Sequence, residues 1–251
     1  YHVLTRWMNL ATIIWLTKLI AVSNDVADSI KKNRNHLRVP LHTILNGVNT
    51  ERFSAGYSGA AEIRQRLQIP PSAPVIGTIA VFRFQKRLDV WLEIAASILR
   101  EKPETHFVIV GDGPLKNQLE EKRKQLNLTS NVHFAGLQTE IRSYLAAFDL
   151  YMMTSVFEGL PIALLEAMAS EKAVITTDAG GIKEVVRHPV DGMVCGVNDY
   201  GKLVDYAVQL LNVPLRRKQL GEEARMRIDA IFCLKIMDHE SEAVYWSANK
   251  K

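Results

Sequence analysis

Glu158 and Glu166, with seven residues between them, bracket a Gly159-Leu160-Pro161 turn and are the residue types most able to do chemistry in this chain. The apolar run Leu150-Tyr151-Met152-Met153 just before them reads as a strand, which puts Glu158 in the loop that leaves it. Pro161 suits the first turn of a following helix, where a missing N–H costs nothing. Glu166 then lies roughly 7 Å further along the helix axis, and its side chain leans back toward the N-terminus. Both acids can face one crevice with free helix N–H groups between them. A ligand that carries phosphates and a vicinal diol suits such a crevice.

A second candidate follows the strand that reads to Val81. In Phe82-Arg83-Phe84-Gln85-Lys86-Arg87, Arg83 can grip two oxygens in a fork and Lys86 can act as a point charge, together a phosphate clamp. On its own the stretch reads equally well as a charged surface loop. Gly111-Asp112-Gly113-Pro114 and Asp178-Ala179-Gly180-Gly181 are two more strand-to-helix turns where backbone can approach a ligand closely. Locally each is also an ordinary tight turn. The first lacks the third glycine of a dinucleotide fingerprint, with Lys116 in its place. His106 and His133 fall on strands and read as core or edge residues. No Ser-His-Asp or Cys-His order suggests a nucleophile.

These residues need a scaffold, and the chain supplies a regular one. Apolar runs at 43–45, 75–81, 106–110, 132–135, 150–153, 173–176 and 193–195 alternate with helical segments near 86–101, 115–126, 139–147, 161–170, 181–187 and 199–211. Strict alternation of this kind predicts an α/β fold, a doubly wound parallel sheet of the Rossmann-like type. Such sheets bind ligands beyond the carboxyl ends of their strands, where the candidates fall. Residues 54–72, with Gly56, Gly59 and Pro70-Pro71, read as a surface excursion. Leu10 to Val22 reads as a buried helix running into a short strand at 19–22, and 25–32 as a second short helix. Two more helices are expected at 214–230 and 235–249.

Composition narrows the class. The chain has 251 residues, 47% hydrophobic and 23% charged, typical of a globular protein. The net charge of +4 is small. It allows contact with phosphates or an anionic membrane surface and does not mark a nucleic-acid binder. Cys195 and Cys233 are the only cysteines; with no Cys-x-x-Cys and no metal-ligand spacing, reduced thiols in a cytoplasmic setting are the simplest expectation.

Taken in order, the motifs resemble the retaining glycosyltransferases of family 4, with the GT-B fold, over most of the chain. Besides Glu158-x7-Glu166 preceded by Ser155, the matching segments are Ala21-Val22-Ser23, Ile44-Leu45-Asn46-Gly47-Val48-Asn49, Val108 to Leu115, Val132 to Gly136 and Thr177 to Glu184. The resemblance implies the donor-binding C-terminal lobe of a hexosyltransferase. Arg83 and Lys86 would grip the donor diphosphate, and the N–H groups of Gly159 and Leu160 would meet its β-phosphate. Glu166 would hold the ribose, Glu158 would face the sugar, and backbone near Gly136 and Leu137 would contact the base. No metal or other cofactor is implied beyond the nucleotide-sugar substrate. The implied partners are that nucleotide sugar, a glycan or lipid-linked acceptor, and peripheral contact with the inner face of a membrane, with no nucleic acid. Phe82 and Arg87 stand where the family usually carries glycine. The expected organisation is a remnant of the N-terminal lobe and link at 1–40, the nucleotide-sugar domain at 41–233, and a helix at 234–251 returning toward the N-terminal lobe. The alternative is a non-catalytic nucleotide-sugar-binding module served by a separate acceptor-binding protein.

Overall fold

A computed structural model of the chain describes residues 16–33 and 39–249. The first part of the helix expected from Leu10 lies outside the described residues. A short strand β1 (Leu19–Ala21) leads into α1 (Asn24–Asn33) and pairs in parallel with β2 (Leu41–Thr43). The second strand was expected at 43–45. It sits two residues earlier because the register with its partner among the described residues, Leu19 to Leu41 through Ala21 to Thr43, sets its bounds.

The main body alternates as anticipated: α2 (Ala60–Arg66), β3 (Val75–Ile79), α3 (Leu88–Glu101), β4 (His106–Val110), α4 (Lys116–Gln125), β5 (Val132–Gly136), α5 (Arg142–Ala147), β6 (Leu150–Met153), α6 (Ile162–Ala169), β7 (Ala173–Thr177), α7 (Ile182–Val185), β8 (Met193–Cys195), α8 (Tyr200–Asn212), α9 (Pro214–Ile231) and α10 (Leu234–Asn249). Six strands form one sheet in the order β5-β4-β3-β6-β7-β8, and every pairing is parallel.

Alternation along each strand feeds two cores, one on each face. Val75, Val108, Val110 and Tyr151 pack under α2, α5, α6 and α9. Ile76, Phe107, Ile109, Leu150 and Met152 pack under α3, α4 and α8. Trp91 of α3 is buried in the second core and donates its indole N–H to the Met152 carbonyl at 3.1 Å.

Two further expectations need correction. The excursion at 54–72 contains a true helix, α2. Ala60-Ala61-Glu62-Ile63 are adequate helix formers, Ile63 is buried, and Arg64 ties the segment down through the carbonyls of Ala73 and Ala147 and the carboxylate of Asp149. The flanking Gly and Pro residues hid it. The strand from Val75 ends at Ile79, not Val81; Ala80 and Phe82 N–H still reach the Val110 and Asp112 carbonyls in register, and the chain then turns where Arg83 N–H donates back to the Val81 carbonyl.

Strand order matters most for function. From β3 the chain winds outward through β4 and β5, then returns to lay β6 on the other side of β3 and winds outward again. The reversal leaves a crevice between the carboxyl ends of β3 and β6, the usual ligand position of such sheets.

Candidate functional site

The two loops that flank this crevice are 80–87 after β3 and 154–161 after β6. They are sewn together. Thr154 Oγ1 donates to the carbonyls of Lys86 and Arg87 at 2.9 and 3.0 Å. Val156 N–H donates to the Gln85 carbonyl at 2.9 Å. The first loop makes a 3₁₀ turn at Phe84–Lys86 and then passes through Arg87 with φ 47° and ψ 44° before α3 begins. That is the left-handed region where glycine is at ease, so Arg87 carries a glycine's conformation at the position where the resemblance expects one. Its guanidinium is held by Asp89.

This stitching brings the expected clamp and the expected acid into contact. Lys86 Nζ donates to Glu158 Oε1 at 2.5 Å, and Ser155 Oγ donates to the same oxygen at 2.6 Å. The Glu158 side chain is only 9% exposed, that of Lys86 21%. Arg83, by contrast, is exposed and makes no ion pair among the described residues.

Glu166 lies on α6, half-buried, with no donor to its carboxylate among the described residues. Burial raises its pKa to about 7, and the Arg52 guanidinium opposes that rise. Both acids sit near the same buried phenol. Tyr151 donates to the Ile79 carbonyl at 3.3 Å; burial first, then the charges of Glu166 and Glu158, push its pKa upward. Both acids thus act on one buried phenol, from the loop after β6 and from α6.

Helix α6 starts one residue later than expected, with Pro161 as its N-cap in an extended conformation. The N–H groups of Gly159, Leu160, Ile162 and Ala163 find no acceptor among the described residues, so they form the positive mouth of the helix. Leu160 itself is buried, and its carbonyl accepts from Asn46 Nδ2 at 2.8 Å. Glycines let the neighbouring loops close on this turn. A Cβ at Gly180 would lie 2.0 Å from the Glu158 carbonyl oxygen, and one at Gly181 2.0 Å from that of Gly159.

Beside the crevice is a cleft of ≈ 280 Å³ lined by Ala80, Val81, Lys86, Gly111, Asp112, Leu137, Gln138, Ile141 and Ala163. Ala163 precedes Glu166 by three residues, on the same helix face. Leu137 stands 79% exposed on the cleft wall. Gly136 is not a lining residue; at φ +69° it turns the chain after β5, and its carbonyl accepts from Gly111 N–H. Of the expected residues, Lys86 and Leu137 line the cleft; Glu158 is bonded to Lys86, Gly159 and Leu160 lie in the loop that opens α6 and Glu166 lies further along that helix, with Arg83 exposed on the loop after β3 and Gly136 behind the cleft wall.

Residue reading alone did not assign roles to Ser155, Thr154, Thr177 and Asn46. Ser155 lies three residues before Glu158, a local signal that could have been used. Asn46 is 114 residues from Leu160 in sequence and gave no such signal. Among the described residues no three His, Cys, Asp or Glu side chains gather to hold a metal ion, and no helix is long and apolar enough to cross a membrane.

Chemically, the opening offers cations and amide N–H groups to an anion and an unpartnered carboxylate to hydroxyl donors. The fold is of the parallel, Rossmann-like α/β class, with a cleft beside its topological switch point. Residues 60–227 match the family model of the glycosyl transferases group 1, and the chain belongs to that family. N-acetyl-alpha-D-glucosaminyl L-malate synthase of Bacillus anthracis is 28% identical over 223 residues, 89% of this chain and 56% of that protein. The chain thus spans little more than half of that relative. The C-terminal domain of the group 1 glycosyl transferase LpcC from Francisella tularensis superposes with a TM-score of 0.67 at 26% identity, over 75% of this chain and 100% of that domain. Anabaena Alr3699/HepE, solved with UDP and glucose, shares the fold with a TM-score of 0.85 at 22% identity, over 96% of this chain and 66% of that one.

Proposed function

We propose that this chain is the donor lobe of a retaining hexosyltransferase and that it binds a nucleoside-diphosphate sugar at the β3–β6 switch point. The observation that carries the reading is the 2.5 Å contact of Lys86 with Glu158, in the loop that opens α6 with N–H groups that have no acceptor among the described residues, with Glu166 further along α6. In this assignment Arg83 and Lys86 take the diphosphate, assisted by the N–H groups of Gly159 and Leu160. Fixed positive groups of this kind stabilise the charge that grows on the leaving β-phosphate without reorganising, so the transfer is assigned no metal. The unpartnered Glu166 accepts the two ribose hydroxyls. The base lies along the cleft wall near Gly136 and Leu137. Glu158 faces the donor sugar, where a carboxylate stabilises an oxocarbenium-like centre.

The fold family and the UDP in the Anabaena complex support a nucleotide donor. The acceptor is assigned as a glycan or a lipid-linked acceptor at the inner membrane face. Residues 41–233 are assigned as the donor lobe, with 1–40 and 234–251 as its connections to the acceptor lobe. A thermal-shift panel of uridine, guanosine and adenosine diphosphate sugars tests the reading. One base class should raise the melting temperature of the chain, and the rise should shrink in Arg83→Ala. No shift with any of the three would refute the donor assignment.

A further inference from the structure

Glu158 Oε1 accepts from two donors, Lys86 Nζ at 2.5 Å and Ser155 Oγ at 2.6 Å. Ser155 is buried and is itself fixed from behind: Thr177 Oγ1, at the carboxyl end of β7, donates to the Ser155 carbonyl at 2.5 Å. The second oxygen of Glu158 accepts nothing from the described residues. The lysine given to the diphosphate above is thus already the partner of the acid given to the sugar. A diphosphate and a carboxylate of like charge compete for one ammonium. A mostly buried carboxylate that gives up its only donor is left unsatisfied, which is costly; a second donor that stays behind lowers that cost.

We propose that Glu158 and the donor diphosphate compete for Lys86, and that Ser155, anchored by Thr177, is a positioning residue that keeps Glu158 in place while Lys86 changes partner. Glu158 then turns its unshared charge toward the sugar only once the diphosphate has drawn the lysine away. The proposal rests on the donor reading and assigns the order in which its groups engage.

Calorimetric titration of the 251-residue chain with the nucleoside diphosphate that binds best tests it. Glu158→Gln should tighten binding roughly fivefold, the scale of one partly screened ion pair. That gain should vanish in the Lys86→Met background. A gain that persists without Lys86 reports simple charge repulsion and overturns the exchange, as does a loss of affinity in Glu158→Gln. If the Gln variant does not fold, Glu158→Ala removes the same charge and carries the same expectation. Ser155→Ala should weaken binding about threefold when Glu158 is present and leave it unchanged when residue 158 is Gln; Ser155→Thr should restore it. Equal weakening in both backgrounds would reduce Ser155 to a loop-shaping residue and overturn its positioning role. Absence of binding by the wild-type chain would remove the donor reading itself, whereas failure of the cycles alone removes only the exchange.

Discussion

Glu166 is the residue whose chemistry depends most on pH. Its carboxyl is raised to about 7 by burial, and hydroxyl donors prefer the ionised form. Affinity for a nucleotide sugar, whose phosphates do not titrate near neutrality, should therefore rise between pH 6 and 8, and Glu166→Gln should flatten the curve. The same shift sets a stability trend. A carboxyl raised in the folded state binds its proton more tightly than in the unfolded chain, so stability is greatest below the unfolded value of 4.5 and falls as pH rises through about 7. Glu166→Gln should melt higher than wild type at pH 8 and about equally at pH 4. A flat wild-type binding curve would mean that Glu166 meets no diol. At this scale the site was largely legible. Glu158, Glu166, Arg83 and Lys86 announce themselves by type and local spacing, because each follows the end of a strand. Ser155 stood in the motif but its bond to Glu158 did not show, and Asn46 could not be found, because its contact joins segments distant in the chain.

At the scale of elements, the site depends on loops that touch backbone to backbone. A Cβ at Gly111, φ +132°, would lie 1.9 Å from the Ala80 carbonyl oxygen, whereas one at Gly56, φ +79°, would meet nothing. Gly111→Ala should cost about 3 kcal/mol in urea unfolding and disturb the cleft, and Gly56→Ala only about 1 kcal/mol. Similar costs at both positions would show that the β3 and β4 loops are not packed as described. A separate prediction concerns the far edge of the sheet, where β4 and β5 begin. His106 Nδ1 and His133 Nε2 lie 3.0 Å apart. Burial, with the neighbouring His106 and Arg123, lowers the pKa of His133 to about 4. A histidine lowered in the folded state favours unfolding once protonated. Stability is thus intact above 6.5 and is lost as pH falls toward 4, and His133→Phe should lose less of it over that range. Most elements could be read from alternating apolar runs. Helix α2 could not, because its glycine and proline flanks outweighed a short run whose stability comes from Ile63 burial and the Arg64 anchors. The histidines fall on strands as expected, half-buried at the start of β4 and β5, but their pairing depends on strand register.

Over the whole molecule, the alternation of strands and helices announced a parallel doubly wound sheet, and the order β5-β4-β3-β6-β7-β8 confirms it. The order itself was not readable, because which strand lies beside β3 is settled by pairing across some 70 residues. That choice makes the site. With β6 next to β3, the cationic loop and the acidic loop face each other; with β6 elsewhere, they would not meet. Membership of the group 1 glycosyl transferases agrees with this geometry. The most direct measurement is calorimetry of the 251-residue chain at pH 8 with uridine, guanosine and adenosine diphosphates, repeated on Arg83→Ala/Lys86→Ala. We expect one binding site for at least one of the three and a loss of at least about tenfold in the double variant. Binding of equal strength without those two cations would contradict the account.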